Sequence, residues 1–300
     1  MSISQHKLTF EGLYTAIITP FTKSGEVDYD AFLKLLQMQA EGGVAGVVVC
    51  GTTGESPNIT DLEFAKLLEM ALQFGQGKFQ VIAGTGTNST DKTIAKSRLA
   101  QQHGAQALLI ASPYYNKPSQ AGLLAHFRAV ADSTDLPVIV YNVPGRTAVN
   151  IETPTLKELT NHPNIVAVKE ASGSINQIMD VIEAVDDDFA VLAGDDAITL
   201  PMIAAGGRGV ISVISNEVPG RFNEMVQLAL KGDIAEARKI HYKLLPLMKA
   251  NFWESNPTIV KKALYQMGII EEVLRLPLVP AGNEHDEPLR KLLLDLDLLR

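Results

Sequence analysis

The stretch IVAVKEAS (165–172) places one lysine inside a run of apolar residues. A short run rich in valine and isoleucine favours a buried strand over a helix. Side chains alternate between the two faces of a strand, so Ala167, Lys169 and Ala171 share one face. Glu170 lies on the opposite face. The stretch therefore predicts a buried strand with Lys169 between two alanines.

Runs of the same kind recur on both sides of this one. Their near-continuous apolar character is typical of parallel strands that are covered on both faces. Helical sequences separate them, and this succession of β–α repeats favours a closed (β/α)8 barrel, the TIM barrel, over the alternative of an open doubly wound sheet. The other runs are TAIITP (15–20), GVVVCG (46–51), QVIAGTG (80–86), ALLIASP (107–113), PVIVYNVP (137–144), FAVLAGDD (189–196) and RGVISVIS (208–215).

The strand pattern ends after residue 216, and helical stretches follow at 233–249, 255–268 and 285–299. These are more helices than one barrel repeat needs. No Gly/Ser-rich linker separates them from the barrel. We therefore expect a barrel domain over residues 1–224 and a C-terminal three-helix extension over residues 225–300, packed on the barrel.

Composition limits the class of protein. The chain has 300 residues, a formal net charge of −8 and one cysteine, Cys50. An acidic chain is unsuited to nucleic acid or an anionic membrane as its main partner, and no window holds the roughly 18 apolar residues of a membrane helix. The N-terminus, MSISQHKLTF, lacks the basic start and apolar core of a secretion signal. With no internal disulfide possible, we expect a cytoplasmic protein.

Lys169 is the first candidate catalytic residue. Burial without a fixed anion disfavours the ammonium and lowers the pKa of a lysine, which makes the amine a nucleophile toward carbonyl carbons. Attack on a 2-oxo acid would form a Schiff base, an electron sink for making or breaking a carbon–carbon bond. The alternative is that Lys169 lies at the strand end with its amine in solvent, as most lysines do.

Other polar groups follow the predicted strands, where the active site of a barrel is built. Tyrosine and threonine hydroxyls transfer protons, glycine-rich turns present N–H groups to carboxylates, and an arginine fork binds a second carboxylate. Each candidate has a structural alternative: a tight turn, a core tyrosine or a surface arginine. The candidates are GTTGES (51–56), Tyr114, Tyr115, Tyr141, Arg146 and GDD (194–196).

A magnesium site is a further alternative. Asp195 and Asp196 with Glu170 would supply carboxylates, as in enolase-type barrels. Glu170 is expected to face away from Lys169, and no other acid joins the group. We therefore expect no metal.

Several motifs resemble, in order and spacing, the dihydrodipicolinate synthase family of pyruvate-dependent aldolases, which also include N-acetylneuraminate lyase. The resemblance covers essentially the whole chain. It implies condensation of pyruvate with L-aspartate 4-semialdehyde to 4-hydroxy-tetrahydrodipicolinate in the diaminopimelate and lysine pathway, no cofactor, and a homotetramer built from two tight dimers. The motifs are GTTGES (51–56), SPYYNKPSQ (112–120), YNVPGRT (141–147), VKEASG (168–173) and GDD (194–196).

The resemblance also implies roles for single residues. Lys169 is the counterpart of the Schiff-base lysine, and Tyr115 is the counterpart of a tyrosine that reaches in from a neighbouring subunit. Thr53 corresponds to a threonine that holds the pyruvate carboxylate, and Arg146 to an arginine that binds the carboxylate end of the semialdehyde. Ile211 corresponds to a residue whose carbonyl lies near the lysine. The expected catalytic residues are Lys169, Tyr141, Thr52 and Tyr115, and the expected substrate-binding residues are Thr53, Arg146, Gly194 and Ile211.

Feedback by lysine is expected to be weak or absent. Lysine-inhibited members of the family bind lysine at a dimer interface, and Ser56, Asn88 and Tyr114 match part of that site. Lys92 stands where those members have a glutamate, and it would repel the amine of the effector. Two histidine positions of the site are Asp61 and Phe64 here.

Two other functions stay open. One is a different aldolase on the same scaffold, such as a sialic acid or 2-keto-3-deoxy sugar acid lyase. Such an enzyme is expected to have a neutral, polyol-binding loop at the position of Arg146. The other is a non-catalytic barrel that senses a metabolite. The full set of candidate catalytic residues argues against the second, because a protein without catalysis has little physical reason to keep a lysine on an apolar strand.

Overall fold

Parallel strands form a closed ring in the computed structural model, which describes residues 9–299. Each strand pairs with the next along the chain, and the last pairs with the first. The ring leaves no free edge, so the predicted TIM barrel is confirmed and the open sheet is wrong. The strands are β1 (Gly12–Ala16), β2 (Gly46–Val49), β3 (Gln80–Gly84), β4 (Ala107–Ala111), β5 (Val138–Asn142), β6 (Ile165–Glu170), β7 (Ala190–Ala193) and β8 (Gly209–Ser212).

Helices occupy the segments between the strands and continue after β8. The sequence accounts for the start of α2: Thr60 and Glu63 form a capping box, with each side chain bonded to the backbone of the other residue. The helices are α1 (Tyr29–Glu41), α2 (Asp61–Gly75), α3 (Thr90–Gln102), α4 (Gln120–Asp132), α5 (Pro144–Thr147), α6 (Thr153–Leu159), α7 (Ile175–Ala184), α8 (Thr199–Ala204), α9 (Pro219–Leu230), α10 (Ile234–Ala250), α11 (Thr258–Gln266) and α12 (Asp286–Asp295).

The first strand lies earlier in the chain than the run TAIITP (15–20) predicts. It begins at Gly12 and ends at Ala16, because its backbone pairs with Gly209–Ser212 of β8. Beyond this point a side chain takes the place of a neighbouring strand: Asn216 Oδ1 accepts a hydrogen bond from the Ile18 N–H at 3.0 Å. The apolar run therefore extends past the end of the strand.

The two faces of β6 match the predicted alternation. Ala167 packs inside the barrel, whereas Val168 packs in the outer layer against the helices. Lys169 shares the inner face and is only 4% exposed. Glu170 is on the opposite face, where it accepts a hydrogen bond from Asn142 Nδ2 at 3.0 Å. The predicted burial of Lys169 is confirmed, and the alternative of a solvated lysine is wrong.

The C-terminal extension consists of α10, α11 and α12 in the described part of the chain, as predicted. Helix α11 begins at Thr258 rather than at residue 255. Pro257 disfavours a helical backbone conformation in the residue before it, Asn256, so the helix begins only after the proline. The predicted domain boundary at residue 224 falls within α9, which packs on both β1 and α10. The division of the chain at that residue stays a prediction.

No helix within residues 9–299 is long and apolar enough to cross a membrane. Residues 1–8, which form most of the N-terminal stretch that argues against a secretion signal, lie outside the described residues.

Candidate active site

Lys169 and Tyr141 lie side by side at the carboxyl end of the barrel. They are register partners on β6 and β5, and the Lys169 Nζ atom lies 4.4 Å from the centre of the Tyr141 ring. Gly194, just after β7, leaves room for the Lys169 side chain. A Cβ at this position would come within 3.1 Å of Lys169 Cε and 2.6 Å of Ala171 Cβ. Gly194, expected to bind substrate, and Tyr141, expected to be catalytic, are therefore both neighbours of Lys169.

The surroundings of Lys169 favour its neutral amine. Burial is the largest effect and lowers the pKa of Lys169 from 10.5 to about 8. The carboxylate of Asp196 opposes this change, and the positive charge of Arg146 adds to it. An amine with this pKa is available as a nucleophile near neutral pH, in contrast to an ordinary surface lysine.

Tyr141 is buried and has a tightly held proton. Burial raises the pKa of its hydroxyl to about 12, and the charge of Arg146 and a hydrogen bond with the Thr52 side chain partly offset this rise. A neutral phenol is both a donor and an acceptor, so it suits passing a proton between a bound substrate and Thr52. The Tyr141 hydroxyl and the Thr52 side chain thus interact within one chain.

Asp196 supplies the negative charge near Lys169. Its Oδ2 atom accepts hydrogen bonds from the backbone N–H groups of Val213 at 3.0 Å and Ile214 at 2.8 Å. Burial raises the pKa of Asp196 to about 6, although these bonds oppose the rise. The carboxylate of Glu170 bonds to Asn142 on the outer face, so the acids weighed for a magnesium site do not converge. Residues 9–299 contain no group of three or more metal-ligating side chains placed to hold a metal.

A cavity of about 600 Å³ opens beside this cluster, with Thr52, Tyr141, Arg146 and Asn256 in its wall. Lys169 contacts the ring of Tyr141, which belongs to this wall. Two hydrogen bonds organise the wall: Asn256 Nδ2 donates to Thr53 Oγ1 at 2.9 Å, and Arg146 Nη2 donates to the Asn256 carbonyl at 3.1 Å. Both predicted carboxylate-binding residues, Thr53 and Arg146, are therefore tied to a single asparagine.

Ile211 lies inside the barrel on β8, in the same apolar cluster as Tyr141. The counterparts of the effector site, Ser56, Asn88 and Tyr114, line the cavity together with Lys92. The predicted effector residues thus border the same cavity as two of the expected catalytic residues, Thr52 and Tyr141.

Tyr115 is the predicted residue that this chain does not bring into the cluster. Its side chain is 90% exposed, and its backbone has a φ of 74° in the left-handed region. Tyr114, its neighbour, lines the cavity instead.

Asn256 is a site residue that the sequence patterns do not reveal. It lies 203 positions from Thr53 in the chain, immediately before α11. No periodicity or motif connects two segments so far apart, and the dipeptide Asn256–Pro257 by itself predicts only a turn. Its contacts with Thr53 and Arg146 depend on the packing of the C-terminal extension against the mouth of the barrel.

The sequence matches the model of the dihydrodipicolinate synthetase family over residues 9–296. The chain belongs to this family. Among its relatives, the 4-hydroxy-tetrahydrodipicolinate synthase of Methanocaldococcus jannaschii is 50% identical over 97% of this chain and 100% of that protein. The family resemblance of the motifs is confirmed, and with it the prediction of an enzyme rather than a non-catalytic barrel.

Solved structures of similar proteins agree with this assignment. The chloride-inhibited dihydrodipicolinate synthase of Acinetobacter baumannii, in complex with pyruvate, has a TM-score of 0.95 at 38% identity and covers 97% of this chain and 100% of that chain. A structure described as the first monomeric dihydrodipicolinate synthase variant has a TM-score of 0.94 at 44% identity and covers 97% of this chain and 98% of that chain.

Proposed function

We propose that this enzyme condenses pyruvate with L-aspartate 4-semialdehyde to give 4-hydroxy-tetrahydrodipicolinate, the reaction that leads toward diaminopimelate and lysine. The observation that carries the mechanism is the buried Lys169 amine beside the Tyr141 ring, at the mouth of a barrel of this family. Its lowered pKa and its contact with Tyr141, a residue of the cavity wall, suit attack on the keto carbon of pyruvate.

The reaction proceeds through a Schiff base on Lys169. The Nζ atom attacks the keto carbon, the carbonyl oxygen leaves as water, and loss of a methyl proton gives an enamine. The enamine carbon attacks the aldehyde carbon, which forms the new carbon–carbon bond. The amino group of the second substrate then attacks the imine carbon, which closes the ring and releases Lys169.

Thr52, Thr53, Tyr141 and Arg146 support these steps. Tyr141 and Thr52 pass the protons that the formation of the imine and enamine requires. Thr53 accepts a hydrogen bond from Asn256, so its hydroxyl proton remains free to be donated to the pyruvate carboxylate. Arg146 binds the carboxylate of the semialdehyde, and Gly194 and Ile211 line the space around the lysine.

Schiff-base formation should depend on pH through Lys169. Because the pKa of this amine is about 8, its neutral fraction rises as the pH rises toward that value. We expect kcat/KM for pyruvate to increase about tenfold per pH unit below pH ~8 and to level off above it. Steady-state rates between about pH 7 and pH 10 measure this. A midpoint near 10.5, the value of an ordinary lysine, would contradict a buried amine.

The Asp196→Asn variant provides a second test of the pKa of Lys169, by the same pH profile. The Asp196 carboxylate raises the pKa of Lys169, so removal of its charge should move the midpoint to lower pH. An upward shift in this variant would show that Asp196 does not act on the amine in this way.

Arg146 distinguishes the synthase from a sugar-acid lyase. We expect Arg146→Ala to raise the KM for the semialdehyde about 10- to 100-fold, because hydrogen bonds to a charged group contribute ~1.5–3 kcal/mol. Arg128→Ala is the matched control, since Arg128 pairs with Glu158 on the surface. An unchanged KM in the Arg146 variant, together with cleavage of N-acetylneuraminate by the wild type, would favour the lyase.

We further propose that the chain works as a homotetramer built from two tight dimers and that Tyr115 acts in the site of a neighbouring subunit. The exposure of Tyr115 supports this, because within its own chain the side chain does not line the cavity. A related protein described as the first monomeric variant fits a family in which assembly is usual.

A complementation experiment tests the shared site. Tyr115→Phe and Lys169→Met subunits are each expected to form enzymes of low activity. When the two are co-expressed, a mixed dimer contains one site with an intact Lys169 and an intact Tyr115 from its partner. Random pairing should therefore restore about a quarter of wild-type activity. No recovery in confirmed mixed dimers would mean that Tyr115 serves its own chain.

We infer a cytoplasmic location from the acidic composition and from Cys50, which is buried and has no second cysteine to pair with. We also propose that lysine inhibits this enzyme weakly or not at all, because Lys92 lines the cavity beside the effector-site counterparts Ser56, Asn88 and Tyr114.

A further inference from the structure

The loop that carries Thr52 and Thr53 begins and ends in an unfavourable backbone conformation. Cys50 has a φ of 54° and Glu55 a φ of 53°, so both lie in the left-handed region without being glycine. Such residues cost conformational free energy and persist only where their surroundings hold them. The loop, residues 50–55, is thus a segment whose shape depends on contacts from outside it.

The strongest of these contacts is an ion pair with the C-terminal extension. The Glu55 side chain is completely buried, and its Oε1 atom accepts a hydrogen bond from Lys261 Nζ of α11 at 2.5 Å. The other oxygen, Oε2, accepts from the Arg275 backbone N–H at 3.0 Å. Lys261 is equally buried and also donates to the Val273 carbonyl at 3.0 Å. Both ions are therefore paired and hydrogen-bonded, as buried charges must be.

The ring of Phe21 completes this environment. Lys261 Nζ lies 4.1 Å from the centre of the ring, and the Arg275 guanidinium carbon lies 4.4 Å from it. Arg275 is fixed in turn by two hydrogen bonds to the carboxylate of Glu63 at 2.6 and 2.8 Å. The lysine that holds Glu55 consequently has little freedom to move.

The same extension holds the loop at a second point, through the hydrogen bond from Asn256 to Thr53. Asn256 precedes α11 and Lys261 lies at the end of its first turn. They bind Thr53 and Glu55, which are two residues apart in the loop. Neither contact involves a barrel strand. A segment outside the barrel thus helps to hold the loop, together with Thr19, whose Oγ1 atom donates to the Gly54 carbonyl at 2.8 Å.

We propose that Lys261 and Glu55 are positioning residues for catalysis: their ion pair holds the strained loop so that Thr52 faces Tyr141 and Thr53 faces the pyruvate carboxylate. The assignment of these two tasks to the threonines rests on the proposed function. The extension is then part of the active site, because without its lysine the loop has no ionic partner for Glu55.

The next residue of the same helix is a matched control. Lys262 is also buried, with its side chain only 4% exposed, and pairs with Glu272 at 3.3 Å and with Asp286. These partners belong to the extension itself and not to the loop. Lys262→Met therefore removes a buried, paired lysine from α11 and leaves the Lys261–Glu55 contact in place.

The experiment compares the kinetics of Lys261→Met and Lys262→Met in the full-length enzyme. We expect kcat/KM for pyruvate to fall about tenfold or more in Lys261→Met and to stay within about twofold of wild type in Lys262→Met, since small displacements of a catalytic group have large effects. The KM for the semialdehyde should change little in either variant, because Arg146 keeps its bond to the Asn256 carbonyl. Equal pyruvate kinetics in two folded variants would overturn the proposal.

A second readout needs no substrate. Amide hydrogen exchange in a peptide over residues 46–60 should be faster in Lys261→Met than in Lys262→Met. If wild-type enzyme forms no borohydride-trapped adduct with pyruvate, the proposed function fails, while the exchange rates still decide whether Lys261 holds the loop. Equal exchange in the two variants would overturn that assignment.

The double variant Glu55→Gln/Lys261→Met covers the case in which Lys261→Met does not fold. It removes both charges, so no unpaired ion remains buried. We expect it to fold and to show the same loss of pyruvate kcat/KM and the same fast exchange in the loop. Wild-type values in this variant would show that the ion pair has no positioning role.

Discussion

Lys169→Met is expected to lower kcat by at least about 10⁴-fold, because removal of a covalent nucleophile abolishes the intermediate through which the reaction proceeds. Lys92 and Lys96 also line the cavity, but among residues 9–299 only Lys169 stacks on the Tyr141 ring. Steady-state assays with pyruvate and the semialdehyde measure the effect, and Lys157→Met, at an exposed position on α6, is the control. Residual activity within tenfold of wild type would mean that another amine forms the Schiff base.

The stability of the same variant adds a physical test. The amine of Lys169 is buried and forms no ion pair with any residue of the described range 9–299, so the folded state already bears the cost of removing it from water. Methionine is of similar length and needs no hydrogen-bond partner. We therefore expect Lys169→Met to unfold at the same or a higher denaturant concentration than wild type. A clear loss of stability would indicate that the lysine is structural.

Tyr141→Phe is expected to lower kcat by about 10²- to 10⁴-fold, the usual contribution of a positioned acid–base group. The substitution removes the hydroxyl that contacts Thr52 and leaves the ring beside Lys169. The adduct with pyruvate should therefore still form, but more slowly. Steady-state and single-turnover rates separate these two effects.

Tyr14→Phe is the matched control for Tyr141→Phe. Tyr14 is a second buried tyrosine of the barrel interior, and its hydroxyl donates to Gln80 Oε1 at 3.0 Å, near the amino end of β3. We expect this variant to lose some stability and to keep its turnover number. Equal losses of activity in the two variants would mean that the Tyr141 hydroxyl acts by packing alone.

The barrel is predictable from sequence because each strand is covered on both faces and therefore appears as an apolar run. The same property makes the end of the first strand hard to predict. Ile18 is as buried as a strand residue, although its backbone bonds to the Asn216 side chain instead of to a neighbouring strand. The inner face of β6 is predictable from alternation alone. It correctly places Lys169 beside Ala167 and opposite Glu170.

The catalytic candidates that lie on strand ends are predictable for a similar reason. Thr52 follows β2, whereas Tyr141 and Lys169 lie near the carboxyl ends of β5 and β6, and closure of the barrel brings the three together. Asn256 and Lys261 are not predictable, because their contacts with Thr53 and Glu55 span 203 and 206 residues of chain. They depend on how the extension docks on the barrel, which no local pattern encodes.

The central claim is that Lys169 forms a Schiff base with pyruvate, and borohydride trapping followed by peptide mass spectrometry tests it most directly. The account predicts a reduced pyruvyl adduct on the peptide that contains Lys169, and no adduct on the peptides that contain Lys261 or Lys262. Absence of any adduct under turnover conditions, or an adduct on a different lysine, would contradict it.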